Sequence, residues 1–228
     1  MKRSFMFICA AALLLTGCGA SADEASAQLF AMDTVMQLDA YGHQVKQAVS
    51  DAEETIQALE ARLSRTREDS LVSVLNQNGA AQDLSAAEQA LLSEALTFRD
   101  ATGGAFDITI APVMDAWGFT GDSYRVPAQD ELDALLENVN SDEIRLSGSS
   151  VTLGAGQAID LGGIAKGYTS DCVEAVFREN KIESGKISLG GNVFVLGGKP
   201  DGADWRVGIR DPQDENALAA VLTLRDAY

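Results

Sequence analysis

Residues 158–168 read Ala-Ile-Asp-Leu-Gly-Gly-Ile-Ala-Lys-Gly-Tyr, in which a short apolar run leads into two glycines and then into a helix-forming segment. Adjacent glycines let the backbone approach a ligand closely, and the N-terminus of the following helix carries a partial positive charge. Lys166, in the first turn, can add a full positive charge. The stretch therefore predicts an anion-binding turn. Its spacing fits neither a Walker A loop nor a Rossmann fingerprint, and a plain tight connection between two elements is the alternative interpretation.

The hydrophobic periodicity on either side of this stretch predicts an α+β fold. Segments with apolar residues at three- and four-residue steps are expected to be amphipathic helices, and short alternating or apolar runs are expected to be strands. The predicted helices are 43–63, 85–101, 127–136 and 164–180. The predicted strands are 36–41, 144–146, 151–153, 187–196, 205–209 and 219–224. Because runs of strands mix with runs of helices, we expect mixed, mostly antiparallel sheets packed with amphipathic helices.

The N-terminal residues have the features of an exported lipoprotein. Two basic residues precede an apolar run from Phe5 to Leu15, which is shorter than the ~20 residues that a transmembrane helix needs. Cys18 closes this run after small residues, as in a lipobox, so we expect it to be lipidated. The predicted divisions are a signal peptide at 1–17, a tether at 18–27 and a domain at 28–228. A diacyl anchor would hold the protein on the extracytoplasmic face of the bacterial cell membrane; a plain cleaved signal peptide is the alternative.

Composition excludes several classes of function. The 34 acidic and 17 basic residues give a net charge of −17, which would repel a nucleic-acid backbone. His43 is the only histidine of the sequence, and no C-x-x-C, H-E-x-x-H or G-x-S-x-G pattern occurs. A zinc site and a serine hydrolase are therefore not expected. Cys172 is left without a partner for a disulfide, so we expect it to be a small buried core residue.

Three further stretches contain candidate site residues. Residues 102–107 place two glycines after a helix end, which would expose Phe106 and Asp107 on a loop as an apolar face beside a carboxylate. Residues 30–34 lie at the start of the first predicted strand. In 185–192, adjacent glycines interrupt a predicted strand, as at a bulge or at a ligand's close approach. Taken singly, each stretch could equally serve only the core or a turn.

Taken together, these stretches resemble, in their order and in their residues, the family of FAD:protein FMN transferases, the ApbE-type lipoproteins. The resemblance covers nearly all of the chain after the predicted signal peptide. The stretches that carry it are 30–36, 63–70, 102–107, 110–112, 117–119, 160–168, 190–192, 199–202, 205–209 and 211–212. It implies a T-fold-like architecture for the α+β domain.

The resemblance also implies an activity and a set of site residues. The implied enzyme depends on a metal, usually Mg²⁺, and uses FAD as substrate. It transfers FMN to a Thr or Ser hydroxyl of a target flavin-carrying redox protein subunit and releases AMP. The implied FAD contacts are Met32, Thr66, Ala105, Phe106, Asp107, Asp160 and Lys166, and the implied metal contact is the carbonyl of Gly163. Thr66 stands where the family commonly has a tyrosine or tryptophan.

The resemblance further implies residues that the sequence does not contain. Chains of the family continue through a His-Ile-x-Asp-Pro stretch and a later Asp and Thr pair, which would complete the metal site and supply the activating base. We therefore expect catalytic residues beyond residue 228, a domain that is incomplete at its C-terminus, and an isolated chain without activity. Two other functions stay open: a non-catalytic flavin-binding lipoprotein, and a solute-binding lipoprotein, whose usual two α/β lobes do not match the predicted order of elements.

Overall fold

The computed structural model describes residues 23–119, 121, 123–214 and 216–228. The predicted signal peptide and Cys18 lie outside the described residues. The elements follow in the order β1 (Asp23–Ala31), β2 (Thr34–Gly42), α1 (Val45–Leu63), α2 (Leu71–Asn78), β3 (Ala80–Ala81), α3 (Ala86–Ala101), α4 (Ala111–Trp117), α5 (Gln129–Leu136), β4 (Arg145–Ser147), β5 (Ser150–Thr152), α6 (Ala165–Glu179), β6 (Ser184–Leu189), β7 (Asn192–Leu196), β8 (Trp205–Arg210) and β9 (Leu218–Leu224).

The strands of the described residues form three antiparallel sheets. The largest has the order β1-β2-β6-β7, the second β3-β5-β4, and β8 pairs with β9. Within the large sheet, Met36 of β2 lies opposite Leu189 of β6, and Ile187 lies opposite Phe194 of β7. The α+β fold with mostly antiparallel sheets is therefore confirmed.

Two hydrophobic clusters hold the sheets and helices together. The first packs α1 and α6 on the large sheet and contains fully buried Met36, Ile56 and Phe177. The second joins α2, α3 and the three-stranded sheet. Burial of each large apolar side chain contributes about 1.5–3 kcal/mol. Because Met32 packs against both clusters, the turn between β1 and β2 lies where they meet.

The helix predictions agree with the structure within a few residues. Helix α1 begins at Val45 rather than residue 43, and α6 covers residues 165–179. Helix α3 begins with the expected capping box, in which the Ser85 hydroxyl accepts the Glu88 N–H at 3.2 Å and the Ser85 N–H donates to the Glu88 carboxylate at 2.8 Å. None of the helices among the described residues combines the length and apolar character that crossing a membrane requires.

Four sequence expectations need correction. Strand β1 begins at Asp23, so residues 23–27 of the predicted tether pair with β2, and the domain starts before residue 28. The predicted strand 187–196 is the hairpin of β6 and β7, which turns at Gly190 and Gly191. Helices α2 and α4 were not predicted. Cys172 is half-buried on α6 rather than a core residue.

Candidate functional site

The glycine turn before α6 presents free hydrogen-bond donors. The Asp160 carboxylate accepts the Gly162 N–H at 2.6 Å, and the Leu161 carbonyl accepts the N–H of Ala165 at 2.8 Å, where the helix begins. The next donors are the backbone N–H groups of Gly163, Lys166 and Gly167, which reach no acceptor among the described residues. The Lys166 ammonium likewise forms no ion pair within the described part of the chain. Free donors and an unpaired cation are what an anion-binding turn requires, and the binding itself stays a prediction.

The residues just before the turn do not pair with a β-strand, and their backbone is held mainly by the side chain of Asn76. The Asn76 amide on α2 donates to the Ile159 carbonyl at 2.9 Å and accepts the Ile159 N–H at 2.7 Å. The Asp160 N–H donates to the Ile108 carbonyl at 2.7 Å. Ile159 and Leu161 are buried in the core. The intervening Asp160 therefore faces away from the core, and its carboxylate lines a cavity.

A cavity of about 560 Å³ lies on one side of the turn. Its aromatic wall is formed by Phe98 and Phe106, whose rings meet edge to face with centroids 6.3 Å apart. A Cβ on Gly163 would lie 2.9 Å from the Phe106 ring, so the missing side chain lets this ring pack on the turn. Asn192, from the predicted 185–192 stretch, also lines the cavity and donates to the Ser170 hydroxyl at 3.0 Å. The volume suits a ring of a small-molecule ligand.

A second cavity, of about 410 Å³, lies on the other side. It is lined by Met32, Asp33, Glu60, Leu63, Ser64, Arg65, Thr66, Met114, Phe119, Asp160, Leu161, Gly162, Ala165 and Lys166. Gly162 and Lys166 belong to both cavities. The two cavities and the turn between them therefore suit an elongated ligand that has an anionic centre and a ring at each end.

The hairpin turn of β1 and β2 forms one wall of the second cavity. Met32 and Asp33 both have left-handed backbone conformations, with φ of 49° and 56°, as in the two-residue turns that connect twisted strands. The Met32 N–H donates to the Glu60 carboxylate on α1 at 3.1 Å. This contact fixes the turn against α1 and keeps the Met32 side chain at the border of the two hydrophobic clusters.

Arg65 is a site residue that sequence reasoning missed. Its Nη1 donates to the Asp160 carboxylate at 2.7 Å and its Nη2 donates to the Asp115 carboxylate on α4 at 2.5 Å. The Arg65 side chain is only 14% exposed, although it lines the second cavity. Its neighbour Thr66 lines the same cavity, but the partners of Arg65 lie 50 and 95 residues away, so no signal in the sequence identifies it.

The structure gives Asp107 a role within the fold. Its carboxylate accepts the Thr109 N–H at 2.8 Å and the Ser141 N–H at 2.9 Å, besides both hydroxyl groups of these residues. Burial raises the pKa of Asp107, but the hydrogen bonds from Ser141 and Thr109 outweigh it and hold the pKa below its ordinary value of 3.8. Neither Asp107 nor Ala105 lines either cavity. The structure thus brings together Met32, Thr66, Phe106, Asp160, Gly163 and Lys166, but not these two.

The metal expectation stays a prediction. Gly163 lies in the turn as expected, but one backbone carbonyl does not make a metal site. No group of three or more His, Cys, Asp or Glu side chains within the described ranges is placed to hold a metal ion.

Fold and site together define an α+β protein in which two cavities meet at a glycine turn. The sequence matches the ApbE family over residues 32–227, and the chain belongs to this family. The family that the sequence motifs predicted is thereby confirmed.

Relatives and solved structures agree with this membership. An FAD:protein FMN transferase of Treponema pallidum is 32% identical over 203 residues, which are 80% of this chain and 56% of the relative. One of Vibrio cholerae is 26% identical over 96% of this chain and 69% of the relative. The chain thus spans little more than half of the Treponema relative.

The crystal structure of the ApbE protein from Thermotoga maritima superimposes with a TM-score of 0.83 at 25% identity, over 90% of this chain and 68% of that one. The flavin transferase ApbE from Vibrio cholerae gives a TM-score of 0.74 at 25% identity, over 84% of this chain and 65% of that one.

Proposed function

We propose that the protein is an FAD:protein FMN transferase whose FAD site is formed by the two cavities and the glycine turn. The observation that carries the proposal is the position of Lys166 and of three N–H groups, which have no acceptor within the described ranges, at the turn that both cavities share. FAD has an anionic pyrophosphate between two ring systems. Its shape and charge therefore match this arrangement, and the chain's relatives include proteins named for the same reaction.

The turn supplies the positive charge that an anionic substrate needs in a chain of net charge −17. The pyrophosphate would accept hydrogen bonds from the backbone of Gly163, Lys166 and Gly167, and the Lys166 ammonium would neutralise part of its charge. Phe106 and Phe98 offer an apolar wall for one ring, and Met32 offers a second apolar contact on the far side of the turn.

The proposed reaction breaks one bond of the pyrophosphate. The oxygen of a Thr or Ser hydroxyl on the target bonds to the FMN phosphorus, the bond to the AMP oxygen breaks, and the hydroxyl proton passes to solvent or a base. Phosphoryl transfer of this kind depends on positioning and on neutralising charge. The turn and Lys166 do both. Mg²⁺, proposed from the family resemblance, would supply further charge neutralisation, but the described residues do not form a metal site, so no step is assigned to it.

Location and partners complete the proposal. Lipidation at Cys18 would anchor the protein at the extracytoplasmic face of the membrane, and the target would be a flavin-carrying subunit of a membrane redox complex. Membrane fractionation of cells that express the wild-type chain or Cys18→Ser tests the anchor. We expect the wild-type chain in the membrane fraction and the variant in the soluble extracytoplasmic fraction.

Two assays test the activity. Titration of FAD with the chain, followed by flavin fluorescence, measures binding. Incubation of the protein expressed from its complete open reading frame with FAD, Mg²⁺ and a flavin-acceptor subunit then measures AMP release and covalently bound flavin. Binding together with AMP release and flavin transfer supports the proposal. FAD binding without AMP release would instead favour a non-catalytic flavin-binding lipoprotein, and failure to bind FAD would overturn both functions.

A further inference from the structure

Arg65 joins three parts of the chain that lie far apart in sequence. It follows α1, and its guanidinium bridges Asp160, which precedes the glycine turn, and Asp115 on α4. The Arg65 and Asp160 side chains are 14% and 15% exposed. Charge-assisted hydrogen bonds in such a partly buried place fix the geometry of both partners more firmly than they would at an exposed surface.

Asp160 and Lys166 line the same cavity, yet they form no ion pair with each other. One oxygen of Asp160 accepts the Gly162 N–H, and the other accepts from Arg65. Both oxygens of the carboxylate are therefore engaged, and among the described residues the Lys166 ammonium is left without an ion pair beside the N–H groups of the turn. If the arginine were neutral, the carboxylate would be available as a counter-charge for the ammonium within this cavity.

We propose that Arg65 is a positioning residue of the FAD site, which acts by engaging Asp160 so that Lys166 stays available to the pyrophosphate. This inference rests on the proposed FAD site. It assigns to Arg65 no contact with the reacting atoms. Its proposed effect on FAD passes through the Asp160 carboxylate and not through its second partner Asp115, so substitution of Asp160 separates this effect from a general role in holding the fold.

Four proteins test the inference: the wild-type chain, Arg65→Gln, Asp160→Asn and the double variant. We expect Arg65→Gln to weaken FAD binding about tenfold, because the released carboxylate pairs with Lys166. The double variant should recover at least about threefold relative to Arg65→Gln, since the amide that Asp160→Asn introduces is neutral and its carbonyl can still accept the Gly162 N–H. If Arg65 only held the fold, the double variant should bind FAD more weakly than Arg65→Gln, because removal of both partners would loosen the turn further.

Arg62→Gln is the matched control, since Arg62 lies in the last turn of α1, pairs with Glu88 at 2.7 Å and lines neither cavity of the site. It should leave FAD affinity unchanged. Thermal unfolding of every variant separates loss of fold from loss of binding. A double variant that binds FAD as weakly as Arg65→Gln, or more weakly, overturns the inference alone. A wild-type chain that does not bind FAD overturns the proposed function and this inference with it.

Discussion

The carboxylate of Asp107 accepts the backbone N–H of Ser141 at 2.9 Å, across 34 residues of sequence. The same carboxylate accepts the N–H of Thr109 and so caps the short 3₁₀ turn at Ile108–Ile110. The Ile108 carbonyl of that turn in turn accepts the Asp160 N–H. Asp107 therefore supports the site from a distance by holding the segment on which the glycine turn rests.

Asp107→Asn should lower the free energy of unfolding at pH 7 by about 2 kcal/mol, because an amide is a weaker acceptor for these buried hydrogen bonds and can place an N–H against a donor. Urea unfolding measures the change. Asp69→Asn is the control, since the Asp69 side chain is 81% exposed, and it should change the stability by less than about 0.5 kcal/mol. Equal stabilities of Asp107→Asn and the wild-type chain would contradict this role.

The stability difference between these two proteins should also depend on pH. The pKa of Asp107 is lowered in the folded state, so its ionised form stabilises the fold at every pH above the ordinary value of 3.8. This contribution is lost as the pH falls through the lower pKa of the folded state. The advantage of the wild-type chain over Asp107→Asn should therefore shrink below about pH 4. Urea unfolding of both proteins at pH 7 and pH 3 measures this change. If their difference in free energy of unfolding is the same at both pH values, Asp107 does not act through its charge.

Gly190 is expected to tolerate alanine far less well than Gly103, although both have a φ of +62°. An added Cβ at Gly190 would lie 2.4 Å from the Thr34 hydroxyl, whereas one at Gly103 would meet nothing within 4 Å. We expect Gly103→Ala to cost about 1 kcal/mol from backbone strain, and Gly190→Ala to cost about 1–3 kcal/mol more from the clash. Thermal or urea unfolding of both variants gives the difference, and similar losses would contradict the close approach of Gly190 to Thr34.

Lys166→Met should weaken FAD binding by about tenfold or more, because it removes the one unpaired cation at the turn within the described residues. The wild-type affinity should fall with added salt, and the variant affinity should fall less. Lys46→Met, on the exposed first turn of α1, is the control and should bind FAD like the wild-type chain. If Lys166→Met binds FAD as tightly as the wild-type chain, the pyrophosphate does not bind at this turn.

Phe106→Ala should weaken FAD binding by about tenfold if a ring of FAD packs on the aromatic wall of the first cavity. Phe30→Ala is the control, because Phe30 is 70% exposed and lines neither cavity. Fluorescence titration compares the two affinities. The same loss in both variants, or in neither, would contradict a ring site at Phe106.

Patterns that depend on near neighbours in sequence were predicted well. The capping box of Ser85 and Glu88 and the strong stripe of α1 lie within single helices, so their periodicity is visible in the sequence. The turn at 160–167 was recognised from its glycines and Lys166. Features that depend on partners distant in sequence were predicted poorly. Residues 23–27 are small and polar like a linker, and only pairing with β2 makes them a strand.

The same reason explains why the site could be predicted only in part. Arg65 has its partners 50 and 95 residues away, so nothing next to it in sequence marks it. Asp107 fits the motif of a ligand contact, but its donors come from Thr109 and from Ser141, whose approach is set by the tertiary fold. The contacts of Asp107 and Ala105 with FAD that the resemblance implies stay predictions.

A crystal structure of the chain with FAD would show where the pyrophosphate binds. We expect the pyrophosphate within hydrogen-bond distance of the N–H groups of Gly163, Lys166 and Gly167, with the Lys166 ammonium beside it and one ring against Phe106. FAD bound elsewhere, or a pyrophosphate that leaves these three N–H groups and Lys166 without contact, would contradict this expectation.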